Sequence, residues 1–243
     1  MMKRLLAAFS FFTRLPFWRL APLEARHYEN IVPLWPCAGL LTGGLMAAVY
    51  LLTSLLLPVP QAIVAALISR VLLTGGLHED GFADFCDGFG GGRDREGTLK
   101  IMKDSHIGTY GVLGLILYYL LLYNVLTHIA TALLPWQMAC VILSADIYSK
   151  LMSSMIVHFL PYARKVEESK SRLVYAHSKT PYITILLSIV TFNAPLLFLL
   201  FRWMRRRIGG YTGDCCGATF IIMELFNYII ISICIAHVYC LGN

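Results

Sequence analysis

Four stretches of this chain carry no aspartate, glutamate, lysine or arginine: residues 30–69, 107–145, 180–201 and everything after Glu224. A bilayer-crossing helix needs about 20 mostly apolar residues, each rising about 1.5 Å. In lipid every backbone polar group must be satisfied within the segment, which makes such runs helical. A soluble alternative would have to hide all four stretches inside 243 residues, of which 58% are hydrophobic and 14% charged. Soluble domains carry about a quarter charged residues, and this chain has too little polar surface for that. The expected fold is therefore all-α: a polytopic integral membrane protein with roughly six to seven membrane helices, forming a single membrane-embedded domain over residues 1–243.

The start of the chain, Met-Met-Lys-Arg followed by Leu5 to Phe12, has the basic flank and apolar run of a signal peptide. Thr13-Arg-Leu-Pro16 stands where small cleavage-site residues belong. The segment is better explained as an N-terminal interfacial helix ending near Pro16, with Arg14 and Arg19 beside headgroups.

A first span is expected from about Leu34 to Leu57, with Gly39, Gly43 and Gly44 allowing close helix contact. A second follows from Gln61 to Leu77, holding Arg70 and meeting Gly75-Gly76. Residues 107–134 and 136–160 form a helical hairpin turning at Pro135, and the last span runs from about Ala218 to Cys240. The loop from Pro161 to Lys179, with Arg164, Lys165, Lys170, Arg172 and Lys179, belongs in the cytoplasm by the positive-inside rule, and the polar block 78–106 lies on the same side. Arg202, Arg205, Arg206 and Arg207 would then fall outside, unless Asn193-Ala-Pro195 splits the preceding stretch into a re-entrant or tilted pair.

The formal charge of +6 sits beside the apolar spans, which points to anionic lipid or a phosphorylated substrate and away from nucleic acid. Seven cysteines without a C-x-x-C pair indicate neither a disulfide framework nor a zinc site.

The chemistry is concentrated in His78-Glu-Asp-Gly-Phe-Ala-Asp-Phe-Cys-Asp-Gly88. Asp80, Asp84 and Asp87 recur at i, i+4 and i+7, so on a helix they share one face. Three such carboxylates repel one another, and a divalent cation removes the conflict. Hard oxygen ligands suit Mg2+, which binds through a few carboxylates, waters and substrate phosphates. A solvated acidic face is the plainer alternative. Next comes Gly88-Phe-Gly-Gly-Gly-Arg93-Asp-Arg95, with Lys100 and Lys103 beyond it. Flexible glycine backbone beside cations can cradle phosphates, although the same cations also suit headgroup anchoring or pairing with Asp94, Glu96 and Asp104. A second glycine-rich run, Gly209-Gly-Tyr-Thr-Gly-Asp214, precedes the last helix, where Asp214 is either a site residue or an N-cap. Asp146 and Lys150, at i and i+4, are expected to pair with each other, while Arg70 and Glu224 have no assignment from pattern.

At these motifs the chain resembles the cobalamin synthase (adenosylcobinamide-GDP ribazoletransferase) family from end to end. The matching runs are Phe11-Phe-Thr-Arg-Leu-Pro16, Thr74-Gly-Gly-Leu-His78, Asp80-Gly-Phe-Ala-Asp84, Asp87-Gly88, Ile101-Met-Lys-Asp-Ser105, Gly108-Thr-Tyr-Gly111, Leu160-Pro-Tyr-Ala-Arg164 and Gly209-Gly-Tyr-Thr-Gly-Asp214. Glu79, His106 and Ile221 depart from the usual pattern.

The resemblance implies a multi-pass enzyme of the cell (inner) membrane, its active site facing the cytoplasm. It would join adenosylcobinamide-GDP to α-ribazole or its phosphate and release GMP, with Mg2+ as cofactor. Asp80, Asp84 and Asp87 would hold the metal, and Arg93, Arg95 and Lys103 would neutralise phosphate oxygens. Motif match adds Asp104 and Asp214, while His78, Asp84 or Asp87 would accept the hydroxyl proton. Its expected partners are the two substrates, membrane lipid and other corrinoid-pathway enzymes; oligomeric state stays open. Asp80-Gly-Phe-Ala also resembles part of the CDP-alcohol phosphotransferase pattern, without its following arginine and later acids. Arg70, Asp146, Lys150 and Glu224 leave a transporter or channel open, and a non-catalytic scaffold is a further alternative.

Overall fold

The computed structural model describes residues 1–164 and 193–241, and no strand occurs among them. Helix α1 spans Met2–Phe12 and α2 is the short turn Ala25–Tyr28. The long elements then begin: α3 Trp35–Ser54, α4 Val59–Thr74 and α5 Leu77–Gly91. After α6 (Arg95–Ile101) come α7 Thr109–Ala132, α8 Pro135–Ser154 and a single further turn, α9 Ile156–Phe159. The final pair is α10 Ala194–Ile208 and α11 Gly213–Leu241.

Among the described residues, four segments are long and apolar enough to cross a membrane: Val32–Ser54, Thr109–Ala132, Pro135–Phe159 and Gly213–Val238. They overlap four of the expected spans, and the hairpin turns at Pro135 as expected, but the last two run beyond the charge-free stretches and take in Asp146, Lys150, Asp214 and Glu224. Helix α4 is shorter and is separated from α5 by an 87° bend. Gly75 and Gly76 make that bend, with φ of +70° and +74°, a region that glycine enters without a Cβ penalty. Helix α5 carries four acids in its 15 residues and lies outside the four spans. The expectation of six to seven spans includes residues 165–192, which lie outside the described residues, as do Lys165, Lys170, Arg172 and Lys179; of the expected break at Asn193-Ala-Pro195, the described side is the start of α10 at Ala194.

Helices α3 and α8 pack backbone to backbone. A Cβ on Gly39 would stand 2.7 Å from the Ile147 Cα, and one on Gly43 would stand 2.7 Å from the Asp146 Cβ. Gly44, expected to join them, faces open space, because the single step from Gly43 turns it about 100° away from the Gly39–Gly43 face.

The charges inside the bundle are satisfied by one another. Lys150 pairs with Asp146 and donates to the Thr42 hydroxyl at 2.9 Å, and that hydroxyl donates to Asp146 at 2.9 Å. Arg70 pairs with Glu224, donates to the Tyr118 hydroxyl at 2.9 Å and reaches Glu79 at 3.3 Å. Tyr118 in turn donates to Glu224 at 3.1 Å, and Tyr119 to Glu79 at 3.2 Å. These networks tie α3 to α8 and bind α4, α5, α7 and α11 together. An unpaired charge would be expensive at such depth, so the four residues that suggested a transport path are accounted for as closed structural pairs.

Candidate active site

The site forms where α5 meets the first turn of α11. Gly81 and Gly217 let the two helices touch: a Cβ on Gly81 would lie 3.1 Å from the Asp214 Cα, and one on Gly217 would lie 3.2 Å from the His78 carbonyl. This approach gathers Asp80, Asp84 and Asp214 at one end of the bundle. Asp84 shows the electrostatic result. Burial, followed by the charges of Asp214, Asp80 and Asp87, raises its carboxyl from 3.8 to about 7, with Arg164 acting in the opposite direction.

Asp87, expected to share the metal, has both carboxylate oxygens engaged elsewhere. They accept the Gly108 N–H at 2.7 Å and the Gly111 N–H at 2.8 Å, so this buried carboxylate caps the N-terminus of α7, where an anion is favoured. Among the described residues no three His, Cys, Asp or Glu side chains converge tightly enough to hold an ion on their own.

His78 is 3% exposed and lies between aromatic rings. Phe220 is 4.0 Å away between centroids, and Phe12 stacks on the other side at 5.7 Å. Burial, then the charges of Lys150 and Arg70, hold its imidazole well below the usual histidine range.

The glycine run after Asp87 is not a loop. Residues 88–91 continue α5 as helix, and Asp94 caps α6 by accepting the Gly97 N–H at 2.7 Å. Arg93 is exposed on the short connection between the two helices. Arg95 donates to the Ile208 carbonyl at 2.9 Å and to the Ala163 carbonyl at 2.8 Å, cross-linking three segments. Lys103 is exposed, and together with Arg95, Lys100 and Arg164 it lines a basic groove of about 350 Å³. Asp104 is exposed and paired with His106 at 2.7 Å; the hydrogen bonds from His106 hold its carboxyl below the usual range.

The second glycine run closes α10 through Gly209, whose φ is +77°. Tyr211 N–H then donates to the Pro161 carbonyl at 3.0 Å, and Ala163 N–H donates to the Tyr211 carbonyl at 2.8 Å. These bonds bring Arg164 to Asp214, with a guanidinium nitrogen 3.6 Å from the carboxylate. The N-capping oxygen of α11 belongs to Thr212, which accepts the Cys215 N–H at 3.4 Å, so Asp214 is released toward the cluster. Pattern reading passed over Arg164 as a site residue, although its signal was present in the run Leu160-Pro-Tyr-Ala-Arg164. This arginine joins the acidic cluster to the basic groove.

Beside the cluster a cavity of about 170 Å³ enters the bundle. Its lining includes Phe12, His78 and Phe220, with Lys150 among the residues around it and Asp80 and Asp214 at the exposed end.

An acidic cluster adjoining a basic groove on the end of a helical bundle is an arrangement for phosphate chemistry, and the whole sequence agrees. The profile of the cobalamin-5-phosphate synthase family matches residues 4–232. The chain belongs to that family.

Relatives in the cobalamin-5-phosphate synthase family include proteins named adenosylcobinamide-GDP ribazoletransferase. The one from Shewanella amazonensis is 35% identical over 93% of both chains. That from Shewanella baltica is 36% identical over 93% of this chain and 92% of the relative, and that from Vibrio cholerae is 36% identical over 96% and 94%. No solved structure matches.

Proposed function

We propose that this protein joins adenosylcobinamide-GDP to α-ribazole, or to its phosphate, releasing GMP and leaving adenosylcobalamin or its phosphate. The observation that carries the reading, beyond family membership, is the meeting of Asp80, Asp84 and Asp214 with Arg164 beside the basic groove.

In this reaction a ribazole hydroxyl oxygen forms a bond to the phosphorus that bears the cobinamide. The bond from that phosphorus to the bridging oxygen breaks, GMP leaves with the electron pair, and the hydroxyl proton passes to a carboxylate. We assign that proton to Asp214, which faces the cluster with Arg164 beside it. Arg164, Lys103 and the exposed Arg93 offset charge building on the phosphate oxygens. Arg95 reaches the groove wall but mainly holds Ile208 and Ala163 in place.

The donor set fits Mg2+. Asp80 and Asp84 are oxygen donors in a cluster short of positive charge, and this ion takes one or two carboxylates together with waters and substrate phosphates. When bound it would neutralise diphosphate charge. Asp87 keeps α5 and α7 in register from behind.

In this reading α4 is a fifth crossing and α5 lies at the membrane face. The site faces the cytoplasm of the inner membrane, where nucleotide substrates are supplied.

The test is magnesium-dependent GMP release by detergent-purified protein given adenosylcobinamide-GDP and α-ribazole, with the joined corrinoid followed chromatographically. Equal yields of GMP and joined corrinoid are expected. Folded, metal-supplied protein that forms neither would overturn the reading.

A further inference from the structure

The transferase reading leaves one feature without a role. His78 is 97% buried, by the 3% exposure of its side chain and backbone together, yet among the described residues neither of its ring nitrogens has a hydrogen-bond partner. Leaving a buried polar group unpaired costs roughly 1–3 kcal/mol, and a folded protein accepts that cost where something else supplies the partner. The ring faces are already covered, by Phe12 on one side and Phe220 on the other, so only the nitrogens at its edge are left to bond. His78 also lines the cavity that runs inward from Asp80 and Asp214.

We infer that this cavity is the subsite for the heteroaromatic base of the ribazole, with His78 as the residue that reads its ring nitrogen. The inference rests on the transferase reading and names where one of its two substrates sits.

Size selects the ligand first. Sites that enclose a drug-sized molecule measure roughly 300–1,000 Å³, whereas this cavity is about 170 Å³. It takes one fused ring system and excludes a corrin or a whole nucleotide. Chemistry selects next. The base of ribazole is a benzimidazole with one ring nitrogen bonded to the sugar and one free, and the rest of its surface is apolar. Phe12, Phe220 and Trp35 present aromatic walls to such a face, and a neutral imidazole has one N–H to donate to the free nitrogen. Position agrees as well: with the base inside, the sugar emerges at Asp80 and Asp214, where its hydroxyl can pass its proton to Asp214.

The test measures binding without turnover. Metal-free, detergent-purified full-length protein is titrated calorimetrically with α-ribazole, with dimethylbenzimidazole and with guanosine. His78→Phe keeps the aromatic stack and removes the nitrogens, and it is expected to weaken α-ribazole binding about three- to tenfold, the value of one hydrogen bond. Leu77→Trp, at a partly exposed lining position, fills the cavity and is expected to weaken both benzimidazole ligands at least about tenfold, which keeps the test open should His78→Phe fail to fold. His78→Gln, which retains a donor, is expected to recover part of the affinity. Unchanged α-ribazole affinity in the folded variants, or guanosine binding that responds to them instead, would overturn the subsite. A wild-type protein that binds α-ribazole in this variant-sensitive way but releases no GMP keeps the subsite and removes the transferase reading. One that turns over with variant-insensitive affinity does the reverse.

Discussion

A Cβ on Gly81 would stand 3.1 Å from the Cα of Asp214, so this pair sets how near α5 comes to α11. Any larger residue at position 81 must push the helices apart and draw Asp80 and Asp84 away from Asp214. A displacement of about 1 Å at a reacting centre costs on the order of 100-fold in rate. Gly81→Val is therefore expected to reduce GMP release by about that factor while the protein remains helical, measured by paired activity and circular dichroism. Activity within twofold of wild type would show that the close approach is not needed.

The raised carboxyl of Asp84 has a consequence for stability. Its pKa is 3.8 in an unfolded chain and about 7 here, so between these values the native state holds a proton that the unfolded state does not. Stability from this group is fully present below about pH 4 and is lost as pH rises through 7. Metal-free protein is expected to melt at a higher temperature at pH 5.5 than at pH 8. Asp84→Asn should flatten that dependence, and magnesium should raise the pH 8 value selectively. A metal-free melting temperature that rises between pH 5.5 and 8, with the same slope in Asp84→Asn, would contradict the assignment.

Asp80 and Asp87 look alike in sequence and differ in the fold. Asp87 is buried and holds two N–H groups of α7, and hydrogen bonds to charged groups contribute about 1.5–3 kcal/mol each. With two such bonds, Asp87→Ala is expected to lower stability by about 3–6 kcal/mol in urea unfolding. Exposed Asp80 has no such duty, so Asp80→Asn should leave the unfolding midpoint in place and remove magnesium-dependent activity. If the two variants lost stability equally, the division of roles would fail.

That contrast shows what the sequence exposes and what it hides. The crossings are legible because a charge-free run of such length has one stable use in lipid, and Gly75-Gly76 marks the break although not its 87° angle. The shared face of Asp80, Asp84 and Asp87 follows from helical spacing. Which of them turns inward depends on α7, whose N-terminus arrives from a separate segment. Arg70 and Glu224 find each other across 154 positions, a pairing that no local pattern encodes. The glycines at 88–91 illustrate the opposite limit: their composition suggests a flexible phosphate loop, yet packing against neighbouring elements holds them helical.

Arg164 and Arg95 both lie on the basic groove but carry different loads, and substitution should separate them. Arg95 donates to two backbone carbonyls, of Ile208 and Ala163, so Arg95→Ala leaves those acceptors without their partner and should act mainly by lowering stability. Arg164 stands 3.6 Å from Asp214 and, among the described residues, donates one long bond, at 3.4 Å, to the Met102 carbonyl. Its charge is free to act on a substrate phosphate, where removing one stabilising donor costs about 10²–10³ in kcat. Arg164→Ala is expected to lose activity on that scale with little change in melting temperature. Arg164→Lys should recover part of it, since lysine supplies charge without the planar fork. Because Arg164 also lowers the Asp84 carboxyl, the pH profile of residual activity in Arg164→Ala should move to higher pH. A profile that stays in place while kcat falls would assign Arg164 to the phosphate alone.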